Sequence, residues 1–282
     1  MFDDTLPFET DSAPVLQRAN GRAQCTFKLR EGKTVVDTLG QSGSLKVMLP
    51  HLHATEATEA VLFNTAGGLT GGDYMSFDGG VAARAHAVFT TSTAERAYLS
   101  LSGNAVVETR LTAEKEGFIE WLPQETILFD GSRLTRSLEV YLASSSKLLA
   151  NETVIFGRTA MGERVRSGLF QDIWQVYRNG DLVHADATSI SGPINVIAKH
   201  PSTLGGNHAI STVLYVADDA AAKLDQVRKV IAKCDCEAGV SAWNGKLVCR
   251  AIAKRSPTLR RATEMILTSL RNGRTLPRVW HI

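Results

Sequence analysis

The stretch "GLFQDIWQVYRNGDLV", residues 168–183, carries the strongest information about the fold, because an alternating run leads into a tight turn and resumes after it. Phe170 and Trp174 share one predicted face with the acid Asp172, as expected for a strand, whose side chains alternate with a period of two. The dipeptide Asn179-Gly180 then accepts the positive φ angles of a two-residue hairpin turn. The stretch therefore predicts a β-hairpin.

The same signals continue on both sides of this hairpin. Asn244-Gly245 separates two apolar runs and predicts a second hairpin. Asp78-Gly79 and Asp130-Gly131 are predicted as turns between runs rich in β-branched and aromatic residues. From about residue 21 to residue 217 the pattern predicts strand after strand, without a helical period.

Two helices are predicted near the C-terminus. Residues 218–233 begin with acids, end with bases and space their apolar residues on one stripe. Residues 256–271 form the second, with Ser256 as N-cap, Pro257 at the first position and an end near Asn272-Gly273. The predicted fold class is mainly β (α+β), a many-stranded β scaffold with two C-terminal α-helices and no linker that would divide it.

Composition and charge exclude several classes of function. The chain has 31 Lys and Arg against 29 Asp and Glu, a net charge of +2, so it lacks the basic excess of a nucleic-acid-binding protein. It contains no apolar run near the ~18 residues of a membrane span, and its acidic N-terminus does not resemble a secretory signal. We therefore expect a cytoplasmic protein. Its four cysteines, without a Cys-x-x-Cys motif, are predicted to be reduced thiols.

A glycine-rich stretch, "NTAGGLTGGD" at residues 64–73, raises the question of phosphate binding. A Walker-type loop needs a lysine and a following helix, whereas this stretch ends on Asp73, which would repel an anion. The pattern instead predicts a tight, close-packed β connection, because glycine tolerates unusual φ angles and close backbone approaches. The motif glycines are Gly67, Gly68, Gly71 and Gly72.

Several polar or aromatic groups are candidates for chemistry, each with a plainer alternative. Glu125, Asp130 and Glu163 could supply a general acid and base if they meet in space; otherwise they are solvated or hydrogen-bonded acids. His51 and His53 could bind a metal from one face of an extended segment, or lie in a loop. The remaining candidates are Cys234 and Cys236 as a soft metal site or a helix cap, His184 and Asp186 as exposed polar residues, and Trp280 as a partner contact or a core residue.

Several blocks of the chain together resemble the urease accessory protein D family, called H in some organisms. The resemblance runs from about residue 20 to residue 190 and continues weakly to the end. The tryptophan-proline-glutamine-glutamate block is its most specific part. The matching blocks are "TVVDTLGQSGSLKVMLP" (34–50), "NTAGGLTGGD" (64–73), "TTSTAERAY" (90–98), "WLPQETILFDGSRL" (121–134), "GRTAMGE" (157–163) and "GLFQDIWQVYRNGDLV" (168–183).

The resemblance implies a non-enzymatic maturation factor with a layered or helix-like coil of strands. Such a chaperone would bind urease apoprotein, recruit accessory protein F and, through it, the GTPase accessory protein G, and assist nickel insertion at the metallocentre. We expect no stably bound cofactor but transient Ni²⁺, and a dimer within the accessory complex is a further expectation. The family also implies an internal passage for nickel, whose candidate acids here are Asp73, Glu125, Asp130 and Glu163.

Two other functional classes stay open at this stage. One is a β-rich carbohydrate-active enzyme that uses paired carboxylates, and the other is an interaction module without a metal role. Residues 1–18 do not match the family and are predicted to be disordered, whereas residues 19–282 are predicted to form a single β-rich domain.

Overall fold

The protein is mainly β and is built from two sheets, as seen in a computed structural model that describes residues 17–50, 57–157, 162 and 164–281. The first sheet, sheet A, has seven strands in the order β14-β13-β11-β8-β5-β1-β2. Its inner strands run parallel, and each edge strand pairs antiparallel with its neighbour. The strands of sheet A are β1 (Asn20–Arg30), β2 (Lys33–Gly43), β5 (Tyr74–Val81), β8 (Ala105–Ala113), β11 (Arg133–Leu142), β13 (Gly168–Arg178) and β14 (Asp181–Gly192).

The second sheet, sheet B, has ten strands, eight of them in the order β16-β17-β15-β12-β9-β6-β4-β3. Strands β4, β6, β9 and β12 are parallel neighbours, and the short strands β7 and β10 pair beside β12. The strands of sheet B are β3 (Leu45–Met48), β4 (Thr58–Asn64), β6 (His86–Thr91), β7 (Glu95–Ala97), β9 (Phe118–Leu122), β10 (Thr126–Leu128), β12 (Lys147–Phe156), β15 (Ala209–Val216), β16 (Glu237–Trp243) and β17 (Lys246–Ala253).

The chain alternates between the two sheets from β4 to β13, which makes a solenoid-like coil. Each coil returns the chain to the same end of the sheet, so successive strands of that sheet run in the same direction and pair in parallel. Successive coils contain different numbers of residues, because the separation along the chain between paired residues changes from coil to coil. The paired residues are Tyr74 and Val106, Ala105 and Leu134, and Arg133 and Leu169. This variation explains why the sequence shows no repeat of fixed period. The predicted layered, coil-like β architecture is confirmed.

The main core lies between the sheets, where aromatic rings from each sheet meet. Phe27 of sheet A lies 5.7 Å, between ring centroids, from Phe89 of sheet B. Phe77 of sheet A stacks on Trp121 of sheet B at 5.8 Å. Such pairs contribute about 0.5–1.5 kcal/mol beyond their apolar burial, so they help to hold the two layers at a fixed spacing.

Both predicted hairpins are present. Asn179-Gly180 joins β13 to β14, and Asn244-Gly245 joins β16 to β17, with positive φ at all four residues. Asp130-Gly131 lies at a turn before β11, as predicted. The prediction of a turn at Asp78-Gly79 is wrong, because both residues lie inside β5. A Cβ atom at Gly79 would lie 2.8 Å from the side chain of Leu111, so glycine there permits close packing rather than a turn.

Two C-terminal helices cover the face of sheet B that points away from sheet A. Successive residues of β15 pack on opposite faces of sheet B. Leu214 packs in the main core between the sheets, whereas Val213 and Tyr215 pack with the helices in a second core. The first predicted helix is shorter than 218–233, and a short helix at 194–197 was not predicted. The helices are α1 (Ile194–Ile197), α2 (Leu224–Ile231) and α3 (Ser256–Leu270), with 3₁₀ turns at Ala221–Lys223 and Arg278–His281.

The predicted N-cap of α3 is also wrong. Ser256 is the first helical residue, and the residue before it, Arg255, has extended backbone and makes no side-chain capping bond. Pro257 lies in the first turn, where its missing N–H costs no helical hydrogen bond. The helix ends at Leu270, close to the predicted stop at Asn272 and Gly273, both of which have positive φ.

Candidate functional site

A cavity of about 140 Å³ lies between the sheets and is lined by residues of both. Its lining includes the buried side chains of Trp121, Arg136 and Glu152, together with the partly buried Glu95. The volume admits several water molecules, so polar groups inside can be hydrated. The cavity also borders the stretch 91–96, which belongs to one of the blocks that resemble the accessory protein family.

Arg136 lines this cavity and joins the two sheets. Its guanidinium donates to both carboxylate oxygens of Asp172, at 3.1 and 2.6 Å, within sheet A. It also donates to Glu152 Oε2 of sheet B at 2.6 Å. One buried cation is therefore shared between two buried carboxylates, and the group carries a formal charge of −1 when both acids are ionised.

Two indole N–H groups complete this cluster. Trp121 Nε1 donates to Glu152 Oε1 at 2.9 Å, and Trp174 Nε1 donates to Asp172 Oδ2 at 3.2 Å. The Arg136 guanidinium also lies 5.5 Å from the ring centroid of Phe170. Because buried charges are tolerated only when they are paired and hydrogen-bonded, this set of donors explains why the cluster is stable inside a core.

Sequence reasoning missed Arg136 and Glu152, although the alternation of inward and outward residues along a strand identifies them. Arg136 occupies an inward position of β11 between the buried residues Leu134 and Leu138. Glu152 occupies an inward position of β12, whose residues 148–156 are all buried. A charged residue at an inward position of an apolar strand is the signal that would have found both.

The environment of the cluster shifts the protonation of its members. Burial raises the pKa of Glu152 to about 7, although the charge of Arg136 acts in the opposite direction. Burial by itself would lower the pKa of Arg136, but Asp172 and Glu152 outweigh it and raise the pKa, so Arg136 stays protonated. Burial also raises the pKa of Glu95, another residue that lines the cavity. Glu152 can therefore exchange its proton near neutral pH.

The raised pKa of Glu152 predicts a pH dependence of stability. A carboxyl group with a folded-state pKa near 7 holds its proton in the native state at pH values where the unfolded chain, with a pKa near 4.5, has lost it. The free energy of unfolding should therefore fall as the pH rises from about 4.5 to about 7, and this contribution should be constant above that range.

Denaturant unfolding between pH 5 and pH 8 checks this prediction. The Glu152→Gln variant should lose this part of the slope, because glutamine does not titrate. If the free energy of unfolding changed with pH in the same way for both proteins, Glu152 would have the same pKa in the folded and unfolded states.

Asp73, the first of the four predicted passage acids, is buried and holds a turn together. It accepts hydrogen bonds from the backbone N–H groups of Ala19 and Thr70, both at 2.8 Å. The motif glycines lie in the turns just before it, between β4 and β5. A Cβ atom at Gly71 would lie 2.3 Å from the carbonyl oxygen of Ser102, so only glycine fits this close approach.

Two of the other predicted acids, Glu125 and Asp130, form ion pairs with different arginines. Glu125 forms an ion pair with Arg260 of α3 at 2.7 Å. Asp130 pairs with Arg166 at 2.8 Å and accepts its backbone N–H. Neither these two acids nor Asp73 is among the residues that line the cavity, and Glu163 lies outside the described residues.

The remaining candidates occupy both expected and unexpected positions. Trp280 is 4% exposed and packs under α3, so of its two predicted roles that of a core residue is confirmed. The prediction that His184 and Asp186 are exposed is wrong: His184 is buried and Asp186 pairs with Arg250. Cys234 and Cys236 follow α2 as free thiols, and His51 and His53 lie outside the described residues.

The described parts of the chain contain neither a metal-binding group of side chains nor a membrane-spanning helix. Within residues 17–50, 57–157, 162 and 164–281, no three His, Cys, Asp or Glu side chains are grouped so that they could hold a metal ion. Within the same ranges, no helix has the length and apolar character needed to cross a bilayer.

The fold and the site together define a two-sheet, solenoid-like β protein with a charged internal cavity. The family model for the UreD urease accessory protein matches residues 19–281. The chain therefore belongs to the UreD family of urease accessory proteins.

Individual relatives match the chain over nearly its whole length. The urease accessory protein UreD of Azorhizobium caulinodans is 42% identical over 268 residues, covering 95% of this chain and 98% of the relative. The protein of the same name from Dinoroseobacter shibae is 43% identical over 281 residues, covering 98% and 97%. That from Rhizobium leguminosarum bv. trifolii is 41% identical over 266 residues, covering 94% and 96%.

Proposed function

We propose that this protein is a cytoplasmic, non-enzymatic scaffold for the maturation of urease. It binds urease apoprotein, recruits accessory protein F and, through F, the GTPase accessory protein G, and so assists delivery of nickel to the metallocentre. Family membership supports the link to urease. The cavity between the sheets, with its buried carboxylates, is the observation that supports a role in the passage of a cation.

The chemistry of the cavity suits transient contact with Ni²⁺. Carboxylates and water are oxygen ligands, and a site with few rigid protein ligands releases a divalent ion more readily than a complete cage. Glu152 and Glu95 line the cavity, and Arg136 already occupies one oxygen of Glu152. A passing ion would therefore compete with a resident guanidinium, which disfavours permanent binding. The passage roles of Asp73, Glu125, Asp130 and Glu163 stay predictions.

Co-expression with urease tests the proposal as a whole. The chain is expressed with the structural subunits and accessory proteins F and G, and urease is purified and analysed for nickel. We expect the chain to co-purify with the apoenzyme, and we expect urease to lack most of its nickel when the chain is omitted. Fully metallated urease without the chain would refute a role in maturation, and turnover of a glycoside by the purified chain would favour an enzyme instead.

The Glu152→Gln variant tests the cavity itself. Glutamine keeps the hydrogen bond from Trp121 but removes the charge, so nickel per urease active site should fall several-fold in the same co-expression. The matched control is Glu139→Gln, because Glu139 lies on the outer face of sheet A and pairs with Arg110. Equal nickel contents with the two variants, at equal amounts of chain, would show that ions do not use this cavity.

A further inference from the structure

A second cavity lies at the opposite end of the fold from the N-terminal strands, between the free edges of the two sheets. It has a volume of about 350 Å³, within the range of small-ligand sites, and lies between β14 of sheet A and the β16–β17 hairpin of sheet B. Leu182 and Trp243 border it and are exposed. Deeper residues include His184 and Lys246, which are 7% and 8% exposed.

Lys246 is a buried cation for which the described part of the chain supplies no anionic partner. Its ammonium group donates to the backbone carbonyl of Val183 at 2.6 Å and lies 4.8 Å from the ring centroid of Trp243. Among the described residues no carboxylate lies within ion-pair distance of it. A buried charge normally has a counter-ion, because removal of an ammonium group from water is costly.

The neighbouring charges do not compensate Lys246. Asp186 of β14 forms its ion pair with Arg250. Lys246 and Arg250 both lie on β17 and line the cavity. Of these two cations, Arg250 is the one that is paired with Asp186. The cavity wall therefore carries an excess positive charge.

His184 provides a second sign of a missing ligand. Its Nε2 atom is buried and has no hydrogen-bond partner in the described structure. Burial lowers the pKa of His184, which keeps the ring neutral at physiological pH. A neutral imidazole with its proton on Nε2 is a donor, and an unsatisfied buried donor costs about 1–3 kcal/mol.

We propose that the cavity formed by His184, Trp243 and Lys246 is a binding site for a carboxylate group. The ammonium of Lys246 supplies the charge, and the imidazole of His184 donates the second hydrogen bond. The exposed rings and methyl groups of Trp243 and Leu182 contact the apolar part of the molecule that bears the carboxylate. The carboxylate belongs either to a free organic acid or to an acidic side chain of a bound polypeptide, and the two sources share this chemistry.

Thermal unfolding of the full-length chain with three probes tests the site at constant ionic strength. The probes are acetate, a blocked tripeptide with a central glutamate, and inorganic phosphate. A saturating carboxylate should raise the unfolding midpoint by about 2–4 °C. A rise with acetate identifies a site open to free acids, whereas a rise with the glutamate peptide alone identifies a polypeptide ligand; each supports the proposal.

Two variants and a control locate the effect. Lys246→Met and His184→Phe should each weaken binding of the carboxylate probe by on the order of tenfold or more. Without probe, Lys246→Met should be as stable as the parent or more stable, because it removes an uncompensated buried charge. Lys33→Met, at an exposed position of β2, should leave probe binding unchanged.

Three results would overturn the assignment. The first is an unfolding midpoint that neither carboxylate probe raises. The second is a carboxylate probe that raises the midpoint of Lys246→Met as much as that of the parent. The third is phosphate that raises the midpoint of the parent as much as a carboxylate probe does. A large loss of stability in Lys246→Met without probe would also count against it, since that result would show that the bond to Val183 is the main role of the lysine.

Discussion

Arg136→Met is expected to lower the free energy of unfolding by about 3–5 kcal/mol. Methionine fills much of the same volume, so the loss comes mainly from charge. Without the guanidinium, Glu152 and Asp172 remain buried on facing sheets, where each must either stay charged without a cation or bind a proton. Because Arg136 also bonds residues of both layers, its loss removes a polar link across the core.

Chemical denaturation measures this effect, and two comparisons isolate its cause. Arg110→Met removes an exposed ion pair with Glu139 from the same sheet and should cost at most about 1 kcal/mol. The triple variant Arg136→Met, Glu152→Gln, Asp172→Asn should recover part of the lost stability, because neutral amides are less costly to bury than charges. Equal losses in Arg136→Met and Arg110→Met would show that the buried cluster is not a major determinant of stability.

Trp280→Ala should be similarly damaging, at about 3–5 kcal/mol. The indole of Trp280 is buried in the second core, and its Nε1 donates to the carbonyl of Leu122 at 3.1 Å. Arg260 lies over the ring at 5.1 Å and donates to the backbone carbonyl of Trp280. Loss of the ring would therefore leave a cavity and loosen the attachment of the C-terminal residues to sheet B.

Trp243→Ala is the matched comparison for this prediction. Trp243 lies on an edge strand and is 45% exposed, and its main described contact is the ammonium of Lys246. We expect a loss of about 1 kcal/mol or less. If denaturant curves gave equal losses for the two tryptophans, the assignment of Trp280 to the core would be wrong.

Much of the local structure was predictable because local physics dominates it. A two-residue hairpin turn needs positive φ angles, which Asn-Gly adopts readily, and both hairpins formed at such dipeptides. Alternation along β13 correctly placed Asp172 on the buried face with Phe170 and Trp174. Asp78-Gly79 failed as a turn for a tertiary reason, since Gly79 is needed where β5 packs closely against Leu111.

The functional groups were harder to predict because their meaning depends on distant partners. Asp73 was found from a family motif, and its contacts are two turn amides. Glu152 became significant only when β11 and β12 brought Arg136 within 2.6 Å of it. Likewise Glu120 of β9, fully buried, pairs with His86 of β6 and with Arg271 and Arg274 beyond α3.

The strand-rich character of the chain, its two hairpins, its two C-terminal helices and its membership of an accessory protein family are all readable from the order of its residues. These properties depend on side-chain periodicity, on backbone φ preferences and on motifs that are continuous in the chain. Tertiary structure alone decided which strands face each other, and so which charges share a cavity. The physical reason is that a buried charge is stabilised by whichever opposite charge lies within a few ångströms, whatever its distance along the chain.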